Sequence, residues 1–239
     1  DEIRKEYSGS AEKNCLDVVI GKWDDLYERR QDIMTIPFSA KGDLCVYGAQ
    51  GSGLDMFFIT LIYSMIEQYS PEEVNIHILD FDSGYLKVFE PAPQVGSVLL
   101  SDETENIEKF IAGMKNEIIS RNKLFAPYGG EYREYCRHSG NTVPNIVVII
   151  NNYSLFTEEY EKLIFDLAYI VREGVKVGVY TALGSLTSNI HSRVKQNIGQ
   201  HITMRMNDKM EYTNILGKTS GIIPSEYKGR GLVKYGVHV

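Results

Sequence analysis

The stretch of sequence that decides the fold runs from Asp43 to Asp55 and reads DLCVYGAQGSGLD. The apolar run Asp43–Tyr47 predicts a β-strand, and the glycine-rich segment Gly48–Gly53 predicts a tight turn directly after it. From Leu54 to Tyr69 apolar residues recur every three or four positions, which is typical of an amphipathic helix. A strand, a glycine-rich turn and a helix in this order place backbone N–H groups at a helix N-terminus, where an anion can bind.

The turn follows the spacing of a phosphate-binding loop, G-x-x-x-x-G-K-[ST], without its chemistry. Gly48 and Gly53 take the two glycine positions, but Leu54 stands in place of the lysine and Asp55 in place of the serine or threonine. The lysine normally neutralises phosphate charge and the hydroxyl binds Mg²⁺. We therefore assign a degenerate nucleotide-binding segment to Gly48, Ala49, Gln50, Gly51, Ser52, Gly53, Leu54 and Asp55. A tight connection between a strand and a helix, with no ligand, explains the glycines equally well.

A second segment also has the pattern of a nucleotide-binding motif without its charged residue. Asn145–Ile150 reads NIVVII, an unbroken apolar run that predicts a strand buried on both faces of a parallel sheet. In P-loop ATPases a strand of this kind ends in an acidic residue that serves Mg²⁺ or the attacking water. Here it ends in Asn151 and Asn152, a degenerate Walker B position, because an amide carries no charge. The alternative is that both asparagines simply cap the strand and begin a turn.

Strands and helices alternate along the rest of the chain. This order predicts an α/β fold with a mostly parallel sheet covered by helices on both faces. We expect residues 1–14 to be a linker or leader and residues 15–239 to form one domain. The other predicted strands are Asp32–Phe38, Val74–Phe81, Val95–Leu100, Val175–Thr181, His201–Met206 and Gly231–Tyr235. The other predicted helices are Asp102–Phe125, Glu131–His138, Glu158–Arg172, Asn189–Asn197 and Lys209–Leu216.

Composition narrows the function classes. The 239 residues are 43% apolar and 24% charged, which is ordinary for a globular protein, and the net charge of −7 disfavours nucleic acid as a partner. Cys15, Cys45 and Cys136 show no zinc-ligand spacing and indicate a reducing compartment. The most apolar run, Met56–Tyr63, is too short to cross a bilayer. The start at Asp1 suggests a fragment of a longer chain, so we expect any membrane anchor to lie outside it.

Eight segments in order resemble one known family. They are Ile20–Asp25, Gly48–Asp55, Tyr69–Glu73 with Ile78–Phe81, Glu117–Phe125, Pro144–Tyr153, Val171–Gly174, Asn214–Gly217 and Gly229–Gly231. Together they resemble the FtsK/SpoIIIE-type ATPase modules of type VII secretion motors, the EssC/EccC family, over about Asp17 to Tyr235. The resemblance implies a RecA-like P-loop NTPase fold. It places the family's Walker A lysine on Leu54, its hydroxyl residue on Asp55 and its Walker B aspartate on Asn151.

The resemblance implies a non-catalytic module of a membrane-anchored motor, at the cytoplasmic face of a bacterial membrane. It implies the C-terminal module, which supports assembly, regulation and substrate recognition. The implied partners are the preceding ATPase modules of the same chain, other copies in a hexamer and secreted substrates of the WXG100 type. We expect no nucleic-acid partner, no membrane insertion by this segment, no metal and no cofactor.

Two alternatives stay open. The first is a weak ATPase that binds ATP and Mg²⁺, with Asp55 holding the metal and Lys41 or Lys218 replacing the missing lysine. The second is a DNA-translocating module, which would need basic residues along a pore. Arg193, Lys195 and Arg205 are candidates for an arginine or lysine presented to a neighbouring subunit's nucleotide, or are simply solvated charges. Asp80 and Asp82, around the end of a predicted strand, border a site or cap a turn.

Overall fold

A seven-stranded sheet forms the centre of the molecule. The computed structural model describes residues 15–25, 29–219 and 221–234. The strands of the sheet lie in the order β5-β4-β6-β7-β3-β8-β9, and all neighbours are parallel except β8 and β9. They are β3 (Leu44–Tyr47), β4 (Val74–Asp80), β5 (Val95–Leu100), β6 (Asn145–Asn151), β7 (Val179–Ser185), β8 (Gln200–Thr203) and β9 (Leu232–Val233).

Helices connect the parallel strands and cover both faces of the sheet. They are α1 (Phe38–Lys41), α2 (Leu54–Gln68), α3 (Thr104–Phe125), α4 (Tyr132–Ser139), α5 (Tyr153–Glu159), α6 (Ile164–Gly174), α7 (Ser192–Lys195) and α8 (Lys209–Leu216). One hydrophobic cluster lies under α2, and the other lies under α3, α5 and α6. All seven residues of β6 are buried between the two clusters. The α/β fold with a mostly parallel sheet is confirmed.

A separate two-stranded hairpin precedes the sheet, and it was not predicted. β1 (Asp17–Asp25) pairs antiparallel with β2 (Arg30–Pro37), with a register shift between Val19 and Gly21. The sequence analysis left β1 unassigned, because its outer half reads GKWDD and carries no apolar alternation. β1 is a strand despite this weak pattern, because its main-chain hydrogen bonds to β2 do not depend on the identity of the side chains.

Other boundaries also differ from the prediction, and the predicted strand His201–Met206 ends at Thr203. Val175–Val177 forms a 3₁₀ turn, and the strand β7 begins only at Val179. The predicted helix Glu158–Arg172 is divided at Tyr160, where the backbone leaves helical geometry between α5 and α6. Of Asn189–Asn197, only α7 is helical. The predicted leader 1–14 lies outside the described residues, and the single-domain assignment of 15–239 stays a prediction.

The parallel order determines where a site can form. The carboxyl ends of β3, β4, β6, β7 and β8 meet at one edge of the sheet, and each is followed there by a polar or glycine-rich connection. Binding sites in open α/β sheets lie outside the carboxyl ends of the strands. Among the described residues, no helix combines the length and apolar character needed to span a bilayer.

A buried carboxyl group lies at the other end of the strands, where their amino ends meet. Asp43 precedes β3 with no exposed surface, and its Oδ1 accepts a hydrogen bond from the Thr181 N–H at 2.5 Å. Its Oδ2 has no hydrogen-bond partner within the described part of the chain. Burial raises the pKa of Asp43 to about 8, because the charged form loses its hydration.

We predict that Asp43 makes the folded state less stable as pH rises. The folded state keeps the proton up to pH about 8, whereas the unfolded chain loses it near its ordinary pKa of 3.8. Between these values the folded state binds more protons, so the free energy of unfolding falls by up to about 1.4 kcal/mol per pH unit. Asp43→Asn removes this slope, and urea unfolding between pH 5 and pH 8.5 measures it.

Glu108→Gln is the matched control, because Glu108 is exposed on α3 and should leave the slope unchanged. If the free energy of unfolding changes with pH in the same way in the parent chain and in Asp43→Asn, Asp43 is not uncharged in the folded state.

Candidate nucleotide-binding site

The glycine-rich turn after β3 is held by the strands on either side of it. The Gly48 N–H donates to the Ser185 carbonyl at the end of β7, and the Ala49 N–H donates to the Arg205 carbonyl after β8. The Ser52 N–H donates back to the Ala49 carbonyl at 3.0 Å. Three amides of the loop therefore bond to the protein itself. The predicted strand, turn and helix of Asp43–Tyr69 lie where the sequence placed them, apart from one or two residues at the ends.

Close contacts explain two of the loop's glycines. A Cβ atom on Gly48 would collide with the Ser52 hydroxyl and lie 3.0 Å from the Met204 Cβ. Gly53 has φ +99°, a left-handed conformation that favours glycine, and a Cβ there would lie 2.8 Å from the Gly229 nitrogen. The backbone at Gly48 thus lies close to the Ser52 side chain, and the backbone at Gly53 lies close to the segment around Gly229.

The residue at the lysine position belongs to the core. Leu54 begins α2, is 7% exposed and packs in the same cluster as Phe58 and Leu61. It offers an anion neither charge nor a hydrogen-bond donor. Sequence comparison with the motif shows that the lysine is missing, but only the structure shows that its replacement stabilises the helix against the sheet.

Asp55 places a negative charge in the first turn of α2, directly after the loop. It is exposed in the first turn of α2, where the helix dipole favours an anion. Partial burial raises the pKa of Asp82, and the charges of Asp80 and Asp55 raise it further. Burial likewise raises the pKa of Tyr85, with further contributions from Asp55, Asp82 and Asp80. The three carboxyl groups therefore share one electrostatic environment beside the loop.

The Walker B position is occupied by a buried amide that is bonded to a carboxylate. The Asn151 Nδ2 donates to the Asp80 Oδ1 at 3.0 Å, and both residues are at most 3% exposed. The other bonds to Asp80 come from the N–H groups of Asp82 and Leu86, at 3.1 and 3.2 Å. Asp80 ends β4 and Asn151 ends β6, and these strands are neighbours with those two residues in register. The sequence analysis named both residues but did not pair them.

Asn152 has a structural role. It takes the left-handed conformation with φ +67° and caps α5, its side chain accepting from the Leu155 N–H at 3.3 Å. This agrees with the alternative interpretation of Asn152 as a capping residue.

The predicted cationic candidates are spread over the molecule. The Arg193 guanidinium lies over the Phe165 ring at 4.9 Å, and the Lys195 Nζ approaches the Asn214 carbonyl at 3.5 Å. Only Arg205 adjoins the loop, through its carbonyl oxygen. Lys41 is too distant to replace the missing lysine of its own loop, because it precedes β3 and the loop follows this strand, which is about 13 Å long. Lys218 follows Gly217, and both Gly217 and Lys41 line a groove that lies away from the loop.

A late segment of the chain reaches the loop. The Gly229 N–H lies 3.5 Å from the Ser52 carbonyl, and the Arg230 Nη1 lies 3.2 Å from the Asp24 Oδ2 of β1. The segment therefore connects the loop to the hairpin. Sequence reasoning quoted Gly229–Gly231 only as part of a resemblance and gave it no contact. Within residues 15–25, 29–219 and 221–234, no cluster of three or more His, Cys, Asp or Glu has the geometry of a metal site.

The chain is similar to modules of several known proteins. It is 27% identical to the type VII secretion system protein EssC of Staphylococcus aureus (strain MRSA252), over 97% of this chain and 16% of that protein. It superimposes with a TM-score of 0.86 and 25% identity on a structure of EssC (ATPases 2 and 3) from Geobacillus thermodenitrificans, covering 95% of this chain and 43% of that one. The chain thus spans about a sixth of the length of its curated EssC relative.

A third similarity supports the fold alone. A structure of Thermomonospora curvata EccC (ATPases 2 and 3) in complex with a signal sequence peptide gives a TM-score of 0.84 at 23% identity, over 95% of this chain and 42% of that one. The profile of the FtsK/SpoIIIE family matches residues 12–238, nearly the whole chain. With its mostly parallel sheet and its loop of P-loop spacing, this chain belongs to the FtsK/SpoIIIE family and is similar to ATPase modules of type VII secretion proteins.

Proposed function

We propose that this chain is a non-hydrolysing module of a type VII secretion motor, acting in assembly, regulation and substrate recognition. The observation that carries the proposal is the negative charge beside the loop. Asp55 lies in the first turn of α2, within electrostatic reach of Asp82, which also couples to Asp80, while the lysine position is a buried leucine. A nucleotide's phosphates would meet repulsion there instead of neutralisation.

The loop's own bonds support the proposal. P-loops bind phosphate through free backbone N–H groups. Here the amides of Gly48, Ala49 and Ser52 already donate to protein carbonyls, so the turn keeps its shape without a ligand. Gly51, Gly53 and the start of α2 still present a helix N-terminus, but the Asp55 carboxylate is the anion closest to it in sequence.

The pairing of Asn151 with Asp80 makes the loss of hydrolysis harder to reverse. An aspartate at 151 would put two carboxylates about 3 Å apart in a buried site, where both cannot stay ionised. The amide avoids that repulsion and gives Asp80 a donor. The charge that a Walker B aspartate would bring to Mg²⁺ is therefore incompatible with the present surroundings of Asp80.

Relatives support the wider role. One related structure, of EccC, is described as holding a signal sequence peptide, which favours substrate recognition as a role for modules of this fold. We extend the proposal to the C-terminal position in a longer membrane-anchored chain, to contacts with preceding modules and with copies in a hexamer, and to WXG100-type substrates. We place the module at the cytoplasmic face of the membrane.

Calorimetric titration with ATP and Mg²⁺ tests the proposal. We expect no binding tighter than about 100 µM, and no turnover above background, because the site lacks a cation. Asp55→Thr should strengthen binding at least about 10-fold by removing one charge, and Leu54→Lys with Asp55→Thr should strengthen it further.

Met56→Lys is the matched control. It adds the same charge two residues along α2 from Leu54, at a side chain that is 51% exposed, and should not bring the nucleotide to the loop. Binding tighter than about 100 µM by the unmodified chain, or measurable hydrolysis, would refute the loss of nucleotide chemistry.

A double-mutant cycle tests the pair at the Walker B position. Asn151→Asp should lower the free energy of unfolding at pH 7 by about 3 kcal/mol, because it buries a second carboxylate against Asp80. Exchanging the groups, Asp80→Asn with Asn151→Asp, should recover most of the loss, since one amide again faces one carboxylate. Urea unfolding of the four proteins measures both effects.

Purely additive losses in this cycle would mean that the Asn151 amide is not needed beside Asp80.

A further inference from the structure

A long groove lies between the hairpin and the far edge of the sheet, away from the phosphate loop. We call it the edge groove; its volume is about 1190 Å³, and its walls are β2 (Arg30–Pro37), residues 199–202 and residues 215–217. This volume exceeds that of a typical small-molecule pocket, which is about 300–1,000 Å³. The volume of the groove fits a polypeptide segment better than a small ligand.

One wall of the groove is a strand edge that pairs with no strand among residues 15–25, 29–219 and 221–234. All eight residues of β2 line the groove, although neighbouring side chains of a strand point to opposite faces. What these residues share is the main chain on the side away from β1, the strand with which β2 pairs. The central run Ile33–Ile36 carries no charge and no proline, the usual protection of an exposed edge. Such an edge is a template for an added strand.

A second strand edge faces the same groove. The N–H groups of Gln200 and Met204 donate toward β3, to the Asp43 and Tyr47 carbonyls. In a parallel ladder alternate residues face opposite neighbours, so His201 directs its main-chain groups away from β3. There β9 pairs with Ile202 and Thr203, and no pair with His201 is formed by the part of the chain that the structure describes.

The charge of the groove indicates what would occupy it. Lys22, Lys41 and Lys234 line it, together with an Arg30–Asp32 ion pair at 3.4 Å. In the part of the chain that the structure describes, none of the three lysines forms an ion pair. A patch of three positive charges in a chain of net charge −7 is complementary to an acidic segment. The same charges oppose pairing of two copies of the chain through this edge.

We infer that the edge groove binds an acidic, extended segment of a neighbouring module of the same motor polypeptide, which adds as a strand to β2. The inference rests on the proposal that the chain is one module of a longer protein. Its EssC relative is about six times as long, and the related EssC and EccC structures carry two ATPase modules. A tethered segment has a high effective concentration, so a solvated basic groove suffices to hold it.

The first experiment probes the chemistry with a fluorescent ten-residue peptide of alternating valine and glutamate. We expect this peptide to bind the chain, measured by anisotropy, and to lose affinity in high salt. The same peptide with N-methyl groups at alternate residues should bind at least about 10-fold more weakly, because it cannot complete a β-ladder. Lys22→Glu with Lys41→Glu should weaken binding about as much, whereas Lys123→Glu on exposed α3 should not.

No binding, equal binding of the N-methylated peptide, or equal binding of a lysine-for-glutamate peptide would overturn the inference.

The second experiment tests the source of the segment. Hydrogen exchange of those Ile33–Ile36 amides that point away from β1 should be at least about 10-fold slower in the full-length motor polypeptide than in the isolated 239-residue chain. Lys22→Glu with Lys41→Glu should restore fast exchange. Equal exchange in both forms, or protection that appears only after a separate protein is added, would overturn the assignment to a neighbouring module. Titration with ATP does not involve this groove, so the two proposals fail separately.

Discussion

The burial of β6 on both faces is the constraint on which the rest of the structure depends. None of its seven residues is exposed, so the strand must lie inside the sheet and helices must cover it on each side. Its neighbours β4 and β7 run parallel to it, and the carboxyl ends of all three therefore meet at one edge. That edge is where Asp80, Asn151 and the glycine-rich loop come together. A single strand with this apolar content thus determines both the layers of the fold and the position of the candidate site.

The predictable part of the fold is the part with strong local signals. The helix α2 and the long helix α3 were found because their apolar residues recur at helical spacing over four or more turns. The hairpin was missed because the outer half of β1 is polar, and its pairing with β2 is a tertiary contact. β7 was displaced because Val175–Val177 has the apolar character of a strand but forms a 3₁₀ turn after α6.

The sequence was sufficient to predict which residues form the candidate site, but not which contacts they make. The spacing of Gly48 and Gly53 identified the loop, and Leu54 and Asp55 showed what it lacks. The hydrogen bond between Asn151 and Asp80 forms because β4 lies beside β6. The order of strands in a sheet cannot be inferred from local sequence. The contact of Gly229 with the loop joins positions more than 170 residues apart, so only the folded chain reveals it.

Protein groups hold the beginning of the loop in place. In an active P-loop the amides point at phosphate oxygens and the lysine reaches across them. Here the amides of Gly48 and Ala49 donate to the carbonyls of Ser185 in β7 and Arg205 after β8, and Leu54 packs into the core. Asp55 supplies the negative charge at the helix N-terminus. The same strand β3 ends in Tyr47, whose hydroxyl lies 3.2 Å from the Nδ1 of His201 beside the edge groove. The loop and the groove are therefore connected through one buried tyrosine at the end of β3.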